Sequence, residues 1–98
     1  MTTVLCRCRV ADYDRWRRGY DHAVEVTPGI RTARAWRGQD DPDLIMVEET
    51  FDTREEAQAA WTAPEVKTAM EADGIDMSSL WFDYFDAVAA PELSRRNN

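Results

Sequence analysis

The chain has 98 residues and a formal net charge of −7, with 44% apolar and 32% charged residues, a balance that suits one domain with one core and argues against disorder. The acidic surplus repels phosphate backbones and the basic residues form no long block, which argues against nucleic acid as a partner. No apolar run approaches the roughly 20 residues of a membrane span, and the N-terminus lacks a charged-then-apolar leader pattern, so a cytoplasmic protein without a membrane partner is expected.

Alternation predicts a first strand from Leu5 to Val10, with Val4, Cys6, Cys8 and Val10 on one face and Leu5, Arg7 and Arg9 on the other. Cys6 and Cys8 lie two apart, a spacing that suits neither a relaxed local disulfide nor a complete zinc site, so buried, reduced thiols are expected. Asp12 is placed to cap a helix from Tyr13 to about Val26, whose Tyr13, Trp16, Tyr20, Ala23, Val24 and Thr27 fall near one stripe. Pro28 and Gly29 end it.

Ile30 to Phe51 predicts a hairpin. Arg34-Ala35-Trp36-Arg37 enters the turn-forming Gly38-Gln39-Asp40-Asp41-Pro42-Asp43, and Leu44-Ile45-Met46-Val47-Glu48-Glu49-Thr50-Phe51 leaves it. Thr53-Arg54-Glu55-Glu56 has the form of a capping box, in which the Thr53 hydroxyl accepts from the Glu56 N–H and the Glu56 side chain reaches back. Ala57, Ala60 and Trp61 form the apolar stripe of the helix it starts. Ala63-Pro64 predicts a break, with a second segment running through Val66, Ala69 and Met70 to a stop at Gly74. A last strand is expected from Ser79 to Val88, with large residues on both faces and therefore covered on both sides. The reading gives a single domain over 1–90 and a flexible tail over 91–98.

The order β-α-β-β-α-β in so short a chain predicts an α+β, ferredoxin-like fold: a four-stranded antiparallel sheet with its helices on one face. Trp36, Met46 and either Trp81 or Phe82 then point to the other face, an apolar patch large for a monomer. A second copy packed sheet to sheet would cover it, giving a homodimer, a dimeric α/β barrel, with a cavity between the subunits.

Asp12-Tyr13-Asp14-Arg15-Trp16, Arg34-Ala35-Trp36-Arg37 leading to Asp40-Asp41-Pro42-Asp43, Phe51-Asp52 before the capped helix, and Ala63-Pro64-Glu65-Val66-Lys67-Thr68-Ala69-Met70 followed by Gly74 resemble the dimeric α/β-barrel proteins grouped with antibiotic-biosynthesis monooxygenases and polyketide cyclases. The resemblance spans about residues 4 to 88. It implies a small cofactor-independent enzyme, a monooxygenase or cyclase, acting on a polyketide-like or aromatic metabolite. The superfamily also holds other activities, and no catalytic residue transfers position by position.

His22 is the only histidine: a helix-surface residue, or a general base if that end of the helix borders the pocket. Arg7, Arg9, Arg34 and Glu48 share the face away from the helices, as an ion-pair network or as an anion clamp that steadies an enolate or phenolate. Trp36 and Trp81 are candidates to line a pocket for a flat substrate. Arg34, His22 and Tyr84 are the catalytic candidates, with Arg7, Arg9, Trp36, Glu48 and Trp81 binding substrate. No phosphate loop, His-Cys cluster or nucleophile elbow is present, so no cofactor and no metal are expected. The alternative is a non-catalytic metabolite-binding or accessory protein of the same fold.

Overall fold

A computed structural model describes residues 1–89. In chain order it has β1 (Thr2–Val10), α1 (Tyr13–Val26), β2 (Ile30–Arg37), β3 (Leu44–Phe51), α2 (Arg54–Thr62), α3 (Pro64–Ala72) and β4 (Ile75–Phe85). The strands form one antiparallel sheet in the order β2-β3-β1-β4. This is the ferredoxin-like arrangement expected from the sequence. The tail expected over 91–98 lies outside the described residues.

Local chemistry fixes most boundaries. The Asp12 carboxylate accepts from the Arg15 N–H at 3.2 Å and starts α1. Thr53 Oγ1 accepts from the Glu56 N–H at 3.1 Å, while the Glu56 carboxylate takes the Thr53 hydroxyl at 3.4 Å, so the reciprocal arm of the box closes on the side chain. Ala63 is extended, with ψ 137°, because the ring of Pro64 disfavours helical backbone before it, and Pro64 then opens α3. Gly74, at φ +84°, turns the chain from α3 straight into β4.

Two strands are longer or placed differently than their local sequence predicts. β1 starts at Thr2, since β3 offers pairing from Thr2↔Phe51 through Arg9↔Leu44. β4 starts at Ile75 rather than Ser79 because Ile75 pairs with Val10 beyond an irregularity between Arg7 and Arg9, and it ends at Phe85 rather than Val88.

The core lies between sheet and helices. Val4, Cys6, Cys8 and Val10 of β1 and Ile45, Val47 and Phe51 of β3 are buried there, under Trp16 of α1 and Ala57 of α2. Trp16 is the only buried residue of α1, and α3 has none. The positions these helices turn toward the sheet include Ala23 and Ala69, with Ala60 of α2, and such small side chains leave space beneath them.

Candidate functional site

Alternation sorts the sequence-derived candidates onto two faces. On the face without helices, register sets Trp36, Met46, Arg7 and Trp81 in one row across all four strands. The next row runs Arg34, Glu48, Leu5 and Asp83. Arg34 donates from Nη2 and Nε to Glu48 Oε1 at 2.7 and 2.9 Å, and its guanidinium lies 5.4 Å from the Trp36 ring centre. Arg9 is drawn toward the hairpin turn instead, where Nη1 meets Asp41 Oδ2 at 2.6 Å. Arg7, Arg34, Trp36, Glu48 and Trp81 are therefore brought together, and Trp36 and Trp81 remain 48% and 44% exposed.

His22 and Tyr84 lie elsewhere. Tyr84 is on the helix side of β4, edge-on to Phe82 with ring centres 6.1 Å apart and the Arg54 guanidinium 4.7 Å above it. It thus stands across the sheet from Arg34, because Phe82 and Tyr84 alternate with Trp81, Asp83 and Phe85. His22, on α1, lines a cavity on the helix side.

That cavity has a volume of about 350 Å³ and is walled by α1, α2 and α3 over β1, β3 and β4. Its size fits a small-molecule site. Apolar and aromatic groups dominate the wall, among them Trp16, Tyr20, Val47, Trp61, Met70 and Leu80. Cys6 and Cys8 are reduced and buried at its floor, where the hydrogen bond with Cys8, then burial, pushes the Cys6 thiol well above its ordinary range. At one rim α1 and α3 meet closely, the Asp73 carboxylate filling the space a side chain at Gly19 would take.

Within this wall sits Glu49, a carboxylate 8% exposed. Trp61 Nε1 donates to its Oε1 at 3.0 Å, and no other hydrogen bond or ion pair reaches it among the described residues. Burial pushes its pKa above the usual carboxylate range, and the Trp61 bond partly offsets the shift. Tyr20 is likewise raised, by its own burial first and by the Glu49 charge second. Among the described residues no arginine or lysine lines the cavity; its titratable groups besides Glu49 are Cys6, Cys8, Tyr20, His22, Glu65 and Asp73. Among the described residues no cluster of three or more His, Cys, Asp or Glu is arranged to hold a metal ion. No helix among them is long and apolar enough to cross a membrane.

Sequence reasoning gives Glu49 no role, although a signal exists. Glu48 and Glu49 are adjacent in a strand, so one of them must face the helices, and the row Ile45, Val47, Glu49, Phe51 is apolar except for that acid.

No family model matches the chain, and no curated protein matches it. Solved structures do. The cofactor-independent oxygenase SnoaB of Streptomyces nogalater superimposes with a TM-score of 0.75 over 94% of this chain and 97% of its own, at 12% identity. A protein assigned as an antibiotic biosynthesis monooxygenase from Deinococcus radiodurans gives 0.72 over 97% and 100%, at 14% identity. Another so assigned, from Chloroflexus aurantiacus, gives 0.71 over 95% and 98%, at 18% identity. Several structural neighbours of this chain are thus assigned as antibiotic biosynthesis monooxygenases, and at these identities the likeness is one of fold.

Proposed function

We propose that the protein is a small oxygenase-type enzyme that works without a cofactor on a flat, largely apolar aromatic or polyketide-like molecule held between the sheet and the helices. The observation that carries this reading is the cavity of about 350 Å³, apolar in most of its wall and ringed by Trp16, Tyr20 and Trp61. SnoaB, a cofactor-independent oxygenase on the same fold, supports the reaction class. In such chemistry a phenol or enol loses its hydroxyl proton and the anion passes one electron to O2. The radical pair then combines to a hydroperoxide, which loses water. The hydroxyl O–H, one ring C–H and O2 thereby become two C=O groups and H2O. His22, at the cavity wall, is the candidate to return a proton to the departing oxygen.

The same reading has two copies joined by their open faces. Exposed Trp36, Met46, Trp81 and Phe85 support it, since a patch of this kind is unusual on a monomer. Arg7, Arg34 and Glu48 then belong to the subunit contact, and Tyr84 supports the sheet from its helix side.

One observation favours the alternative of a non-catalytic binder: among the described residues no arginine or lysine lines the cavity to steady a developing anion. Oxygen uptake by the purified protein with a panel of tricyclic phenols separates the two. The enzyme consumes O2 and yields a product that has gained one labelled oxygen atom and lost two hydrogens. Saturable binding with no uptake over the uncatalysed rate across the panel would leave the binder.

A further inference from the structure

Among the described residues, the buried carboxylate of the cavity has a single donor and no cation beside it, an arrangement that needs a reason. Glu49 takes one hydrogen bond, from Trp61, which leaves acceptor capacity for a donor inside the cavity. It shares the cavity with Tyr20 and His22 of α1, Glu65 of α3, Asp73 just beyond α3, and the two thiols of β1. From α2 comes only the Trp61 N–H.

We infer that Glu49 receives the hydroxyl of the bound molecule and takes its proton, and that the cavity accepts ligands entering as uncharged weak acids while rejecting those entering as anions. The inference rests on the proposed placement of the ligand in this cavity. The ligand O–H bond breaks and an O–H bond forms on Glu49, so the single negative charge moves from carboxylate to ligand oxygen. No second charge is created in apolar surroundings, which is why a delocalised phenolate can form here without an arginine. The neutral carboxyl that results can donate a hydrogen bond back to the phenolate. A ligand that arrives as a carboxylate instead sets a second negative charge beside Glu49 with nothing to offset it.

Umbelliferone, its methyl ether and a coumarin carboxylate form a matched set of hydroxyl donor, non-donor and anion. Wild-type protein should bind umbelliferone about tenfold more tightly than the methyl ether, the ratio expected for one charge-assisted hydrogen bond, and bind the carboxylate more weakly still. Bound umbelliferone should show its phenolate absorbance band at a pH where the free dye is protonated. Glu49→Gln keeps size and an accepting oxygen, so it should lose the phenolate band, narrow the hydroxyl-to-ether ratio to about twofold and bind the carboxylate better than wild type. Equal wild-type affinity for the three probes would overturn the Glu49 assignment while leaving the cavity as the site. Failure of wild type to bind any probe would overturn the placement itself. The wild-type ratios and the phenolate band need no variant, so a misfolded Glu49→Gln protein would not shield the inference.

Discussion

Trp61→Phe removes one N–H from the cavity and keeps an aromatic ring against Phe82, whose centre lies 5.0 Å from that of Trp61. The lost bond is 3.0 Å long and ends on a carboxylate 8% exposed, so it ranks with hydrogen bonds to buried charged groups, about 1.5–3 kcal/mol net. The smaller ring leaves a void worth about 1 kcal/mol more. A loss of about 3 kcal/mol at neutral pH is expected, roughly 12–24 °C in Tm for a chain of this size. The indole N–H favours the ionised carboxylate, so its contribution is full above the raised pKa of Glu49 and fades as pH falls through it. Urea melts of Trp61→Phe, Glu49→Gln and the double mutant isolate the part of the bond that depends on the carboxylate charge, since Gln still accepts, with a coupling of about 1 kcal/mol expected at neutral pH. Additivity within about 0.3 kcal/mol, or a Trp61→Phe loss that is the same in acid, would show that the carboxylate charge adds nothing to the indole bond.

Burial lifts Glu49, so the folded protein holds this proton where the unfolded chain has lost it; the associated stability is full below about pH 4.3 and is lost as pH rises through the folded pKa. Glu49→Gln should therefore melt above wild type at neutral pH and match it near pH 4, and a gap that persists in acid would contradict the assignment. Sedimentation equilibrium at micromolar concentration should give twice the 11.3 kDa chain mass, and Trp36→Glu with Trp81→Glu should return it to one chain mass with unchanged circular dichroism; a monomeric wild type would defeat the open-face dimer. The Arg34–Glu48 side chains are 62% and 23% exposed in the single chain, so Glu48→Ala should cost under about 1 kcal/mol in dilute monomer and about 3 kcal/mol once a partner desolvates the pair. A cost independent of protein concentration would place the pair outside any interface.

Boundaries were readable wherever a single residue type forces the backbone: Asp12, Thr53, Pro64 and Gly74 each act through their own bonds or ring. Strand ends are set by partners far along the chain, so β1 gains Thr2 from Phe51 and β4 gains Ile75 from Val10. The same division holds at the candidate site. Alternation alone places Arg7, Arg34, Trp36 and Glu48 on one face, with Trp81 among the residues that one or other register sends there. Where helices stand away from a sheet is a property of packing, and here it follows from Ala23, Ala60 and Ala69 facing inward together, which no one helix pattern announces. The pair Glu48-Glu49 was the exception: period two sends one acid to each face, and only its neighbours say which.

α3 roofs part of the cavity with little to hold it. It is nine residues long, lacks a side-chain cap and buries none of its side chains, and a helix so short is marginal without packing. Its ends are tied, one by Pro64 and the other by Arg15 Nε donating to the Ala72 carbonyl at 2.9 Å, while its middle spans open space. Such a wall should breathe as a unit: its amides should exchange with solvent sooner than those of α1 or of the central strands. With the ligand placed as proposed above, its residence time would follow how often nine residues of helix let go, and tightening α3 should slow release without adding one contact to the ligand.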